Sequence, residues 1–543
     1  MQSDGQNSHK KTFMGGVLVL MPAALFAKVI GLFYKIPLIA IVGVEGMAYF
    51  LAAYHIYSLL FVLSATGLPT ALSLQVSRCV AQGRAFAVRR VFGVALALFL
   101  SLGLVGTLAL VVGADALAAR LSMGDAAASI VAIAPALLLA AFIGAARGFT
   151  QGKQHMLPTA VSEVLEAAGK LGFGLAFALL AKSRALSVPQ VAAYAIFGIT
   201  AGMALSALWL GATLVYFALR ERTPREVHGV FPTRRGIFCE LCRIALPITV
   251  SASVMSLVSL LDTALISGRL QAAGFAPSVA NAMYSSYGNL AIPLYNLVPS
   301  LLSPLTLALM PLLGACCAKG DRTGGEAAFG SALRLTALFS IPAAMGLAVF
   351  SHPILSLIYV GQDAAVSVAA PLLSILALSV PSAALITLAG AALQAMGHTL
   401  VPVLAMGAGA AVKLSVEVLL LALPGVHIYG APVSTLACNA TVLVIEAVVL
   451  LRVLPFRIHA VRDLARPFLA ALCSVGAVAM LYLLLARRCG QPRWLMPAVL
   501  LLAVVLFALL ALCFRAVEES DLVNLPQGER LCAILKKCKL LKR

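Results

Sequence analysis

Apolar residues recur along this chain in unbroken blocks of about twenty, separated by short stretches that carry most of the charge. A helix rises about 1.5 Å per residue, so a block of that length covers the ~30 Å of a bilayer's hydrocarbon. The blocks predict spans near 13–36, 49–75, 91–113, 128–147, 157–181, 191–219, 244–268, 284–315, 332–350, 368–392, 400–422, 428–451, 466–486 and 494–514. A transmembrane barrel would instead alternate apolar and polar positions in segments of about ten residues, a pattern absent from this sequence. The predicted fold class is an all-α polytopic membrane protein with about 14 transmembrane helices.

Composition changes little in that picture, whereas charge adds an orientation. Hydrophobic residues are 62% of the 543 and charged residues 11%, with a mean hydropathy of +1.02. A soluble chain carries roughly 25% charged residues. The net charge of +19 would suit nucleic acid if it gathered on one surface. Sorted on the spans, however, 28 of the 39 Lys and Arg fall on the side of the N-terminus, 7 fall opposite and 4 lie inside. By the positive-inside rule both termini are cytoplasmic, which requires an even number of spans. No nucleic-acid partner is expected. The last opposite-side loop, with Arg487, Arg488 and Arg493, runs against the bias.

The 11 cysteines sit at irregular positions, and Cys239-x-x-Cys242 falls short of the four ligands of a structural zinc. No metal is expected. The first apolar block follows Lys10 and Lys11 as a signal peptide would, but further spans follow at once, so it reads as an uncleaved first helix. There is no phosphate loop, zinc-protease motif or nucleophile elbow, so no catalytic residue is assigned.

The longest polar break divides the chain. Residues 1–219 form a six-span lobe, 220–243 a basic cytoplasmic linker and 244–452 a second six-span lobe. Residues 453–515 add two spans, and 516–543 form a basic tail. The lobes read as repeats. Gln151 precedes Pro158 and Lys170 in the first; Gln394 precedes Pro402 and Lys413 in the second, with the same Gln-to-Lys spacing. Tyr49, Tyr54, Tyr57 and Pro69 of the second span match Tyr284, Tyr287, Tyr295 and Pro304 of the eighth in style. Equivalent spans lie an even number apart, which makes a parallel repeat about an axis along the membrane normal. Such architectures place their substrate site between the halves, near the midplane.

Ionisable residues at that depth are costly and mark functional sites by default. Lys170 and Lys413 each lie near ~20 Å along their helices, with Lys28 at a similar depth, while Lys35 reaches the outer end of the first span. Glu163, Glu166 and Lys170 share one helical face, as do Lys413 and Glu417; Asp262 lies in the outer half of the seventh span. Two readings stand side by side. Glu166–Lys170 and Lys413–Glu417 are neutral clips between packed helices, or Lys28, Lys170 and Lys413 line a cavity whose ammonium groups suit a pyrophosphate. The acids would then tune the lysines or bind a coupling cation. Tyr54, His55 and Tyr57 offer hydrogen bonds to sugar hydroxyls, or pack in the core or interface.

The run Lys28, Gly31, Tyr34-Lys35-Ile36-Pro37, Gly43, Glu45-Gly46 and Tyr49, then Tyr54-His55-Ile56-Tyr57-Ser58-Leu59-Leu60, is followed by Ser64, Gly67, Pro69, Ala71 and Ser73. It resembles the N-terminal signature of the stage V sporulation protein B-like polysaccharide transporters. Leu246-Pro247, Leu261-Asp262-Thr263, Arg269-Leu270, Tyr287-Gly288, Leu294, Pro299 and Pro311 resemble that family's second lobe. The family belongs to the multidrug/oligosaccharidyl-lipid/polysaccharide exporter superfamily, with the lipid II flippases (MurJ) and the O-antigen flippases as relatives.

The resemblance implies a V-shaped core of two six-helix lobes plus two C-terminal helices, alternating between inward- and outward-open states. The implied cargo is a polyprenyl-pyrophosphate-linked saccharide such as lipid II, moved across the cytoplasmic membrane without cofactors. Energy would come from a Na⁺ or H⁺ gradient or the membrane potential, with membrane lipids and cell-wall synthesis proteins as partners. In the lipid II flippases, arginines of the first helix are implicated in pyrophosphate binding. Lys28 stands at the first such position, whereas Tyr34 occupies the second, with Lys35 beside it. Glu166-x-x-x-Lys170 looks like the family's acid-to-base pair in the fifth helix. A multidrug or cation antiporter of the same superfamily, and a non-transporting envelope or sporulation scaffold, are the alternatives.

Overall fold

The computed structural model describes residues 2–65, 67–82, 84–220, 233–319, 321–423, 425–453, 464–489 and 495–514. It divides into two compact units, Met1–Ser285 and Ser286–Arg543. Helix α1 (Gln2–Ala65) passes through the first two predicted spans and leaves helical geometry only at Gly43, with φ 80° and ψ 164°. A positive φ crowds any Cβ, and glycine has none, so Gly43 can supply the turn between those spans. Helix α2 (Gly67–Ala81) completes the second span. Then follow α3 (Ala85–Arg120), α4 (Ala127–Ile133) with α5 (Pro135–Gly152), α6 (Leu157–Ser183) and α7 (Val188–Arg220). The first unit ends with α8 (Arg234–Ala272) and α9 (Pro277–Ser285).

The predicted lobe boundary lay in 220–243, of which 221–232 are outside the described residues. By its packing, the seventh span counts with the first six, because α8 lies on α1, α2 and α3. Gly67 of α2 is so close to Ala245 and Thr249 of α8 that a methyl group there would overlap them. At the polar end of the same interface Arg78 pairs with Glu240 at 2.8 Å, and Gln75 donates to the Ile237 carbonyl.

The second unit opens on a π-helical turn, Ser286–Ala291, leading into α10 (Ile292–Lys319) and α11 (Arg322–Val349). It continues through α12 (Ser351–Ile358), α13 (Asp363–Ala377), α14 (Val380–Ala395), α15 (Leu400–Leu421) and α16 (Gly430–Val453). Helices α17 (Arg466–Cys489) and α18 (Leu495–Cys513) follow; they pack on each other, and α17 also packs on α11.

Among the described residues, 11 helical segments are long and apolar enough to cross a membrane, or up to 12 if the pair α13–α14, bent by 48°, is one span. The first predicted span and α10, which carries most of the eighth, contain residues outside the described set and fall outside that count. The surface supports the same conclusion: Val112, Leu219 and Leu208 are 86%, 83% and 72% exposed. Large apolar side chains bared in such number are stable against lipid, not water.

Both units repeat one packing device. In the first, Gly169 of α6 and Gly202 of α7 bring two backbones together, and a Cβ on Gly202 would lie 2.5 Å from the Lys170 amide nitrogen. In the second, Gly409 of α15 abuts α16, where its Cβ would lie 3.1 Å from the Cys438 carbonyl. Lys170 and Lys413 therefore each ride on a helix locked to the next one. Small residues give this close approach inside a membrane, where no hydrophobic effect draws helices together.

Candidate functional site

Ser162, Glu166, Lys170 and Gly174 recur every four residues and so form one stripe along α6. The structure fills this stripe from α1 and α5. Arg147 of α5 reaches its lower part, donating from Nε to Ser162 Oγ at 2.8 Å and from Nη2 to Glu166 Oε2 at 2.9 Å. The pair is only part-buried, with the Arg147 and Glu166 side chains 19% and 33% exposed. Glu163 lies within electrostatic reach of both. Higher on the stripe the Lys170 ammonium stands 5.6 Å from the centre of the Tyr34 ring and 5.2 Å from that of Tyr54. Tyr34 packs on α6 at Gly174, where a Cβ would meet its hydroxyl at 2.6 Å. Lys35 is close enough to Lys170 for the two ammonium groups to repel.

This geometry revises the pairing read from the sequence. Glu166 serves Arg147, and Lys170 has no carboxylate within ion-pair distance among the described residues. Its charge is met by two aromatic faces, worth about 0.5–2 kcal/mol each depending on how dry they are. A compact ammonium so held keeps its three donors for an incoming anion. Tyr34, which departs from the base expected in the first helix, supplies one face of this cradle. Arg147 was counted among the charges that orient the chain; its place five residues from the end of α5 gave no sign of a partner on α6.

The remaining candidates fall as follows. Lys28 lies on α1, but its side chain is outside the described residues. Tyr57 is buried and donates to Met203 Sδ at 3.2 Å, while sitting within reach of Glu166, Arg147 and Tyr54. His55 Nδ1 is 2.8 Å from Thr263 Oγ1 and 3.2 Å from the Tyr284 hydroxyl, so one polar cluster ties α1 to α8 and α9. Tyr57 and His55 thus turn polar atoms to protein partners; Tyr54 turns its ring to Lys170. Asp262, beside Thr263, is buried.

In the second unit Lys413 and Glu417 are buried on one face of α15, at 8% and 0% exposure. The Tyr295 hydroxyl of α10 lies within electrostatic reach of Lys413 and accepts from Asn439 of α16 at 2.7 Å. A lysine within electrostatic reach of a tyrosine from an earlier helix thus occurs in both units. Sequence reading singled out neither Tyr295 as a neighbour of Lys413 nor Glu446 as fully enclosed; the latter is 1% exposed, with its carboxylate beside Gly390. Outside the spans, burial and then the neighbouring Cys239 push the Cys242 thiol up, so it is not poised as a thiolate at neutral pH.

Helix order and the paired lysine helices define the class: this is the fold of the transporters of the MOP superfamily. It matches a lipid II flippase MurJ in an inward closed conformation with a TM-score of 0.68 at 14% identity, over 92% of this chain and 98% of that one. An inward-facing multidrug resistance MATE family transporter matches with a TM-score of 0.64 at 14% identity, over 83% and 95%. Residues 13–316, more than half of the chain, match the polysaccharide biosynthesis protein family, and the chain belongs to it. Residues 247–419 also match the MatE family. Stage V sporulation protein B of Bacillus subtilis (strain 168) is 24% identical over 535 residues, covering 96% of this chain and 99% of that protein.

Proposed function

We propose that this protein is a flippase that carries a polyprenyl-pyrophosphate-linked saccharide, lipid II or a related envelope precursor, outward across the cytoplasmic membrane by alternating access. One observation carries the reading: half-buried Lys170, on an apolar helix, is set between two tyrosine faces with no carboxylate in ion-pair range among the described residues. A lipophilic cation would be repelled by such a group, whereas a pyrophosphate is attracted to it. Lys170 is the anchor, with Lys35 beside it and Lys28 on the same helix as Lys35; Lys413 is the corresponding group of the second unit. Asp262 and Glu417 serve a coupling Na⁺ or H⁺, and the polyprenyl tail stays in lipid. Both termini are cytoplasmic, and cell-wall synthesis proteins deliver or receive the cargo. No covalent step is involved.

The test is outward movement of lipid II and of a second polyprenyl-pyrophosphate glycan in sealed vesicles under an imposed ion gradient, with a lipophilic cation as the competing cargo. Movement of either lipid without the cation supports the reading. Export of the cation alone would replace it with multidrug export, which the fold match to a MATE family transporter and the MatE match over 247–419 favour.

A further inference from the structure

The Arg147–Glu166 pair sits on the same stripe of α6 as Lys170, with Glu166 about one helical turn nearer the N-terminal side of the membrane. Ser162, which Arg147 also bonds, is eight residues before Lys170, about 12 Å along the axis. Gly174, where Tyr34 docks, is four residues beyond, about 6 Å. Arg147, Lys170 and Lys35 therefore stand in order of depth along one track within the first unit.

A pair sealed in a dry core could only clip α5 to α6, since no anion could reach it. This one is open, and its more exposed member is the carboxylate, at 33%. The guanidinium keeps the geometry that grips phosphate in a bidentate fork, and phosphate competes with carboxylate for the same donors. Resting on the flippase reading above, we propose that Arg147 is the first phosphate-binding residue met from the N-terminal side, with Glu166 as its displaceable counter-ion. The pyrophosphate takes Arg147 from Glu166, then passes to Lys170 and Lys35. Glu166 holds the guanidinium in place until a stronger anion arrives, and it keeps that end of the track from binding weaker anions.

The experiment measures binding of farnesyl pyrophosphate to purified full-length protein in detergent, with farnesol, inorganic pyrophosphate and the lipophilic cation tetraphenylphosphonium as controls. Wild type, Arg147→Gln, Glu166→Gln and Glu163→Gln/Glu166→Gln are compared, with thermal midpoints recorded for each. Both single variants break the same ion pair, so a structural clip moves both affinities the same way. A displaceable counter-ion moves them apart: Arg147→Gln weakens binding about tenfold, and Glu166→Gln tightens it by a similar factor. The double variant, which also removes the second carboxylate near Arg147, binds at least as tightly as Glu166→Gln. Affinities of both single variants that fall together, or that stay at the wild-type value, overturn the proposal. Wild type that ignores the pyrophosphate and binds a lipophilic cation instead overturns the flippase reading itself, and this proposal with it.

Discussion

A lysine at mid-membrane depth can be neutralised by a carboxylate, reach for the interface, or rest on a polarisable surface that leaves its hydrogens available. Lys170 does the third, on Tyr34 and Tyr54. That choice separates the ring from the hydroxyl as the working part of each tyrosine. Tyr34→Phe keeps the π face and should keep transport near wild type, because its hydroxyl makes only a long contact, 3.5 Å, to the Ala195 carbonyl. Tyr34→Leu removes the face and should lower the apparent affinity for the lipid roughly three- to thirtyfold, matching one cation–π contact. Titrating transport against lipid concentration checks both; equal behaviour of Phe and Leu would mean the ring only fills space. The charges at depth were legible from residue type and spacing alone. The partner of Glu166 was not, because Arg147 looks like any cation at a helix end until α5 and α6 are seen side by side.

At the scale of elements, the site depends on how closely α6 and α7 approach. Gly169 and Gly202 allow the backbones to meet beside Lys170, and any side chain on Gly202 collides with the Lys170 amide and with the Glu166 carbonyl, 2.9 Å from its Cβ position. Gly202→Leu should therefore force the helices apart, lowering the thermal midpoint by several degrees and abolishing transport together. Gly172 has no atom within 4 Å of its Cβ position, so Gly172→Ala should change neither. Thermal denaturation in detergent beside the vesicle assay decides this; a stable, active Gly202→Leu variant would contradict the packing described. Spans were readable because hydrocarbon thickness imposes a length on every apolar block. The break between the first two falls at Gly43, inside the 37–48 gap that their lengths left.

For the whole molecule, the two units share a lysine helix, a glycine-locked neighbour and a tyrosine from an earlier helix. The Gln-to-Lys spacing in the sequence already paired the two lysine helices. The basic stretch 220–243 gave no sign that α8 packs on α1 and α2. The proposed orientation has a direct check. Single cysteines placed at Thr233 and at Gly274, in a background without the native cysteines, should be blocked by an impermeant maleimide only from the inside for the first and only from the outside for the second. The reverse pattern would invert the direction of transport proposed here.

The central claim is that a cationic group at mid-membrane depth carries an anionic lipid headgroup. Lipid movement in sealed vesicles by wild type, Lys170→Arg and Lys170→Ala, at matched protein levels, tests it most directly. The account predicts that Lys170→Ala loses transport by at least tenfold while Lys170→Arg, which keeps the charge, retains a measurable part of it. Full transport by Lys170→Ala would contradict the account and reduce Lys170 to a packed structural residue.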